Sequence, residues 1–220
     1  MIKFIPYFHL GLALLVGLAQ SDPHPLHDFC VADTAAGSQT FLTNDFPCIN
    51  PELALPSHFA TSALAMPGNT RENPSGFNVT LATISNLPGL NTLGLTLARA
   101  DLAPNGLIPP HSHPRASEVT ICLQGTLLVG FVDTSNRLLT QQLRVGDSFV
   151  FPKGLIHFVY NLEASTQAIA VSGLNSQSPG AQIGSMSSFA SHPNIPDEVL
   201  QKAYLINGQD VARIRRNLGG

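Results

Sequence analysis

A chain of 220 residues fits one sizeable domain, and a hydrophobic fraction of 44% is ample for a packed core. Only 11% of the residues are charged and the formal net charge is -3, with no basic stripe, which argues against nucleic acid as a partner. Arg213, Arg215 and Arg216 form the nearest thing to a basic run and read as the solvated face of a terminal helix.

The first twenty residues are a different material. Lys3 supplies a short positive start, the run to Leu18 is dominated by apolar residues, and Gly17-Leu18-Ala19 places small residues at a cleavage position. Residues 1–20 therefore read as a secretory signal, too short and too weakly flanked for a membrane span. No second long apolar run follows, so the mature protein is expected outside the cell and not in a membrane.

Residues 21–75 are rich in Pro, Asn, Asp and Ser and read as an extended arm. Cys30 and Cys48 lie within it, and an oxidising compartment would pair them. Cys122 sits in a β-rich run and reads as a small buried hydrophobe. Asn78-Val79-Thr80 is an acceptor sequence for glycosylation at Asn78.

From about residue 76 onward, short β-type runs are split by Gly, Pro, Asn and Asp. The main ones are 93–97, 118–123, 127–132, 148–151, 158–161 and 168–171, which predicts an all-β sandwich or barrel. Gln124-Gly125 looks like a tight hairpin between two of them. Pro196-Asp197-Glu198 opens a helical pattern with Val199, Leu200, Ala203 and Tyr204 on one face, and a second short helix follows Asn207-Gly208. These helices serve either to cover the barrel or to clasp a neighbouring subunit.

The chemistry centres on His111-Ser112-His113. On a strand, residues two apart share a face, so both imidazoles can enter a barrel together. Glu118 has the opposite parity, so a turn at Pro114-Arg115-Ala116 is needed to bring it to the same side. Turns at Gly146-Asp147 and Pro152-Lys153-Gly154 can return His157 to the group. Three imidazoles and a carboxylate suit Mn, Fe, Zn, Ni or Cu, and the stability order alone does not select manganese. His9 leaves with the signal, and His24, His27, His58 and His192 lack partners at ligand spacing and are given no role; Asn161 is expected to orient backbone after His157.

The segment Asn105-Gly106-Leu107-Ile108-Pro109-Pro110-His111-Ser112-His113-Pro114-Arg115-Ala116-Ser117-Glu118 resembles the first signature of the germin and germin-like proteins. It departs only at Asn105, in a loop outside the four side chains. Gly146, Pro152, Gly154, His157 and Asn161 fit the second signature, G-x5-P-x-G-x2-H-x3-N. Asp28-Phe29-Cys30-Val31-Ala32-Asp33, Pro88-Gly89-Leu90-Asn91-Thr92-Leu93-Gly94 and Asn175-Ser176-Gln177-Ser178-Pro179-Gly180 extend the likeness over nearly the whole mature chain.

The resemblance implies a cupin jelly-roll barrel over residues 76–220, with His111, His113, Glu118 and His157 as Mn2+ ligands and Cys30–Cys48 as a disulfide. It also implies a homohexamer, a trimer of dimers, in the plant apoplast or cell wall, with a role in defence or wall metabolism. The family includes oxalate oxidase, whose pocket asparagines fall here on Ala98 and Ile108, neither of which donates from its side chain. Superoxide dismutation, which needs only a redox metal open to a small anion, is expected ahead of oxalate oxidation. The alternative is a non-enzymatic binding protein, receptor-like or auxin-binding, or a wall structural protein.

Overall fold

The computed structural model describes residues 28–34 and 46–219. The segment read as a signal lies outside the described residues, as do His9, His24 and His27. Among the described residues, ten strands form two five-stranded antiparallel sheets. The first sheet has the order β1 (Phe77–Ala82), β2 (Thr96–Leu102), β9 (Ala168–Leu174), β4 (Glu118–Gln124), β7 (Ser148–Phe151). The second has the order β10 (Gln182–Ile183), β3 (Leu107–Ser112), β8 (His157–Asn161), β5 (Leu127–Val132), β6 (Leu138–Leu143). The two form the predicted jelly roll.

Alternation explains which side chains fill it. In β9 the burial runs strictly inside-outside, and Ala168, Ala170, Ser172 and Leu174 point inward. Ala168 and Ala170 meet Leu102, Ile108, Cys122, Leu127, Val129, Leu143, Phe151 and Val159 in the main core, while Leu174 packs with Ala98 and Ala116. Cys122 is fully buried there, as its setting in the sequence predicted.

Several features of the sheets differ from the sequence reading. The run at 93–97 begins in a turn, since Thr92 and Gly94 adopt positive φ, and only Thr96 and Leu97 of it lie in strand β2. Its Ala98-Arg99-Ala100-Asp101 centre lacks strong β-formers, and tertiary contacts override propensity. The Ala methyls enter the interior, while Arg99 pairs with the buried Asp101 at 2.9 Å and donates to the Leu64 carbonyl at 3.1 Å. Asp101 accepts from the Gly68 amide at 2.9 Å, which pins the preceding segment across the strand.

Gln124-Gly125 is not a hairpin, because β4 and β5 belong to different sheets. Gly125, at φ +80°, carries the chain across, and a Cβ there would stand 2.9 Å from the Ala168 methyl. Strand β3 holds Pro109 and Pro110, which argue against a ladder; a register shift between Ile108 and His111 accommodates them. Strand β6 is a mostly exposed edge of mixed leucines and polar residues, with only Leu143 buried and no alternation to announce it.

Three helices close the chain: α1 (Gly184–Phe189), not foreseen in the sequence, α2 (Asp197–Tyr204) and α3 (Gly208–Asn217). Phe189, Leu200 and Val211 form a separate small core with Ile195, Ile206 and Ile214 around it. Of the predicted apolar face of α2 only Leu200 is buried; Val199, Ala203 and Tyr204 remain exposed. Arg215 is not a solvated residue either. It lies between helices, 2.7 Å from Asp197 and 2.6 Å from the Ile195 carbonyl.

The N-terminal arm is tied down as its cysteines predicted. Cys30 and Cys48 form a disulfide with a Cα separation of 5.1 Å. Asn91 then locks the arm to the barrel, donating to the Phe46 carbonyl at 2.8 Å and accepting from the Phe46 amide at 3.1 Å. Replacing both cysteines by alanine is expected to cost about 3 kcal/mol by the chain-entropy account. That amounts to a fall of roughly 6–12 °C in a thermal melt. An unchanged melting temperature would show the bridge to be dispensable.

Candidate metal centre

The two sheets bring the four predicted side chains together at one end of the barrel. In the second sheet His111 stands opposite His157, and in the first Glu118 stands opposite Leu174 and Phe151. Residues 114–117 form the turn that Glu118 required, so the carboxylate enters on the histidines' side. One ligand atom from each of His111, His113, Glu118 and His157 falls within 4.8 Å of all the others. His113 Nε2 is 3.0 Å and His157 Nε2 3.5 Å from Glu118 Oε2. Phe151 stacks on the His157 ring at 4.4 Å and walls the group from the core.

The rings are aimed by backbone. His111 Nδ1 lies 2.9 Å from the Pro109 carbonyl, His157 Nδ1 2.9 Å from Leu155 and His113 Nδ1 2.5 Å from Gly180. A carbonyl only accepts, so each Nδ1 carries a hydrogen and, in the neutral ring, each Nε2 presents a lone pair. Three lone pairs and a carboxylate, all electron-rich, converge on one point. His157 Nε2 is buried with no hydrogen-bond partner. Such an arrangement is repulsive unless a cation occupies the centre, and imidazole nitrogen with carboxylate oxygen is a donor set for a divalent transition metal.

Electrostatics agree. Burial, reinforced by His157, pushes His111 down to about 4, so it is neutral and ready to ligate at any higher pH. Burial also lowers His113, yet its bond to Glu118 and the Gly180 carbonyl leave it above its usual value. Burial alone would raise Glu118; contacts from His113, His157 and Ser172 outweigh it and hold the carboxyl well below the usual range.

In the metal-free protein a proton on His113 therefore does the cation's work. Its raised value makes that contribution to the metal-free fold full below pH 6.5 and lost as pH rises through the folded value. Metal must displace this proton. Affinity is expected to fall as pH drops from neutral, approaching tenfold per unit while one proton is exchanged. Titrating manganese at pH 7.5 and 5.5 while monitoring free Mn(II) checks this. Equal affinity at both would show that no proton on His113 is displaced.

The mouth of the site is shaped by the loop after β9. Arg115 donates to the Ser178 carbonyl at 2.5 Å and its amide to the Pro179 carbonyl at 3.2 Å, while Ser117 and Asn175 join the loop to β4. His113 and Glu118 retain slight exposure on this side, whereas His157 is 2% exposed. Ala98, Ala116 and Leu174 form an apolar cluster alongside, and Ile108 faces the main core.

Asn161 is buried beyond His157 and donates to the Ala103 and Thr166 carbonyls at 2.8 and 2.9 Å, the backbone role expected of it. Asn78 lies half-buried on the edge strand β1. The sequence reading gave no part to Thr120 and Ser172, which contact Glu118 and each other; inward parity beside a ligand was the available signal.

A two-sheet jelly roll with three histidines and a glutamate gathered inside it defines a metal-site barrel of the cupin class, and the cupin family model matches residues 62–212. "Germin-like protein subfamily 1 member 1" of Arabidopsis thaliana is 58% identical, covering 96% of this chain and 97% of that protein. "Germin-like protein 3-1" of Oryza sativa subsp. japonica is 54% identical, covering 96% of this chain and 95% of that protein. A solved structure of oxalate oxidase superposes with a TM-score of 0.84 at 39% identity, over 91% of this chain and all of that one. The chain belongs to the germin-like proteins.

Proposed function

We propose that this chain is a secreted, manganese-binding germin-like protein of the plant apoplast, in which His111, His113, Glu118 and His157 hold the ion and superoxide is the substrate. The observation that carries this is the convergence of three Nε2 lone pairs and one carboxylate on a single point, open toward the His113 and Glu118 side. Bound manganese supplies a one-electron redox couple. The chain aims three imidazoles through backbone carbonyls, backs the group with Phe151 on the core side, and leaves access for a small anion on the other.

Manganese-dependent superoxide loss, abolished in His113→Ala with an unchanged circular dichroism spectrum, is the expected result. Activity indifferent to metal removal would overturn the proposal.

The same molecule supports a second reading, a non-enzymatic wall or binding protein, because much of its outer surface is apolar. Leu97, Val119 and Val150 on the first sheet are 43%, 50% and 57% exposed, and Leu205 after α2 is 91% exposed. Faces of this kind mark association surfaces, and we assign them to a homohexamer, with a sedimentation mass of six chains as its check. Metal removal that lowers thermal stability while no redox assay responds would select this reading.

Export with removal of residues 1–20 and a glycan on Asn78 complete the proposal. N-terminal sequencing of the secreted protein, and the mass lost in Asn78→Gln, test them.

A further inference from the structure

The two oxygens of Glu118 have different partners. Oε2 faces the imidazoles, 3.0 Å from His113 Nε2 and 3.5 Å from His157 Nε2. Oε1 accepts from the Thr120 hydroxyl at 2.9 Å, and Ser172 also reaches the carboxylate. Thr120 lies two residues beyond Glu118 on β4, hence on the same inward face, and Ser172 stands directly opposite it on β9. The two hydroxyls are hydrogen-bonded to each other, and both residues are almost fully buried.

A carboxylate only accepts, so the hydrogens of this pair run toward Oε1. On the far side of Ser172 the row across the sheet continues with Ala98, whose side chain has no polar atom to compete.

Building on the reading of Glu118 as a ligand, we propose that the Thr120–Ser172 hydroxyl pair positions its carboxylate. By occupying Oε1 it makes Glu118 bind the metal through Oε2 alone, which preserves an open coordination position for a small molecule. Thr120 and Ser172 are positioning residues and touch no substrate.

The test uses the full mature protein loaded with manganese. Thr120→Val keeps the side-chain shape and removes the hydroxyl. Its dissociation constant for manganese is expected to rise tenfold or more, on the order of other losses behind a ligand. Its Mn(II) electron paramagnetic resonance spectrum is expected to show a changed zero-field splitting, because Oε1 is freed to bind. Thr120→Ser restores both readouts, and Ser172→Ala shifts the spectrum in the same direction with Thr120 in place.

A Thr120→Val protein with wild-type affinity and spectrum overturns the positioning role alone. Should that variant not fold, an unshifted Ser172→Ala spectrum does the same. A wild-type protein that takes up no manganese overturns the ligand reading, and this inference with it.

Discussion

His157→Gln is expected to leave the protein folded but unable to retain manganese through desalting. The ring supplies the most buried of the four donors, stacks on Phe151 and packs at a tilt against His111, so no neighbouring group can replace it. Loss of groups behind a ligand already costs 10–100-fold in affinity, and loss of a ligand is expected to exceed about a hundredfold.

Metal content per chain and a melt with and without manganese measure the effect. At a metal concentration about a hundred times the dissociation constant, binding stabilises the wild type by about 2.7 kcal/mol. For a domain of this size that is roughly 5–10 °C. The variant should show no manganese-dependent increase. Stoichiometric metal in His157→Gln would remove the basis of the proposed function.

Oxalate is expected to give no peroxide above background with the manganese-loaded protein, despite the close fold match to oxalate oxidase. The pocket asparagines implied by the family resemblance fall here on Ala98, packed with Ala116 and Leu174, and on Ile108, packed in the main core. Each missing contact to a charged acceptor is worth about 1.5–3 kcal/mol, and together they lower turnover by about several-hundred-fold or more.

The apolar setting makes the deficiency hard to reverse. An asparagine at 98 or 108 would have to leave polar atoms among methyl groups, a penalty of about 1–3 kcal/mol without a partner. Ala98→Asn/Ile108→Asn is therefore expected to recover only part of the difference. Peroxide release assayed with both proteins decides it, and robust oxalate turnover by the wild type would refute the argument.

Much of the site was legible in the linear chain, because its information is local. His111-Ser112-His113 share a strand face by parity alone, and Pro114 announces the turn that lets Glu118 join them. The glycines at 146 and 154, both at positive φ, mark turns that only small residues make cheaply. The cysteine pair and the inert Cys122 were equally readable, one from its Pro- and Asp-rich setting and the other from its β-rich one.

What the chain order hid was everything decided across sheets. The connection at Gly125 looks the same in sequence whether two strands pair or part, and only the packing of Ala168 beneath it shows that they part. Strand β2 owes its place to inward methyls and to the Arg99–Asp101 pair, not to propensity. The same holds for Thr120 and Ser172. They lie 52 positions apart and become neighbours only when β4 and β9 come into register, since hydrogen bonds act over ångströms and carry no mark in the order of residues.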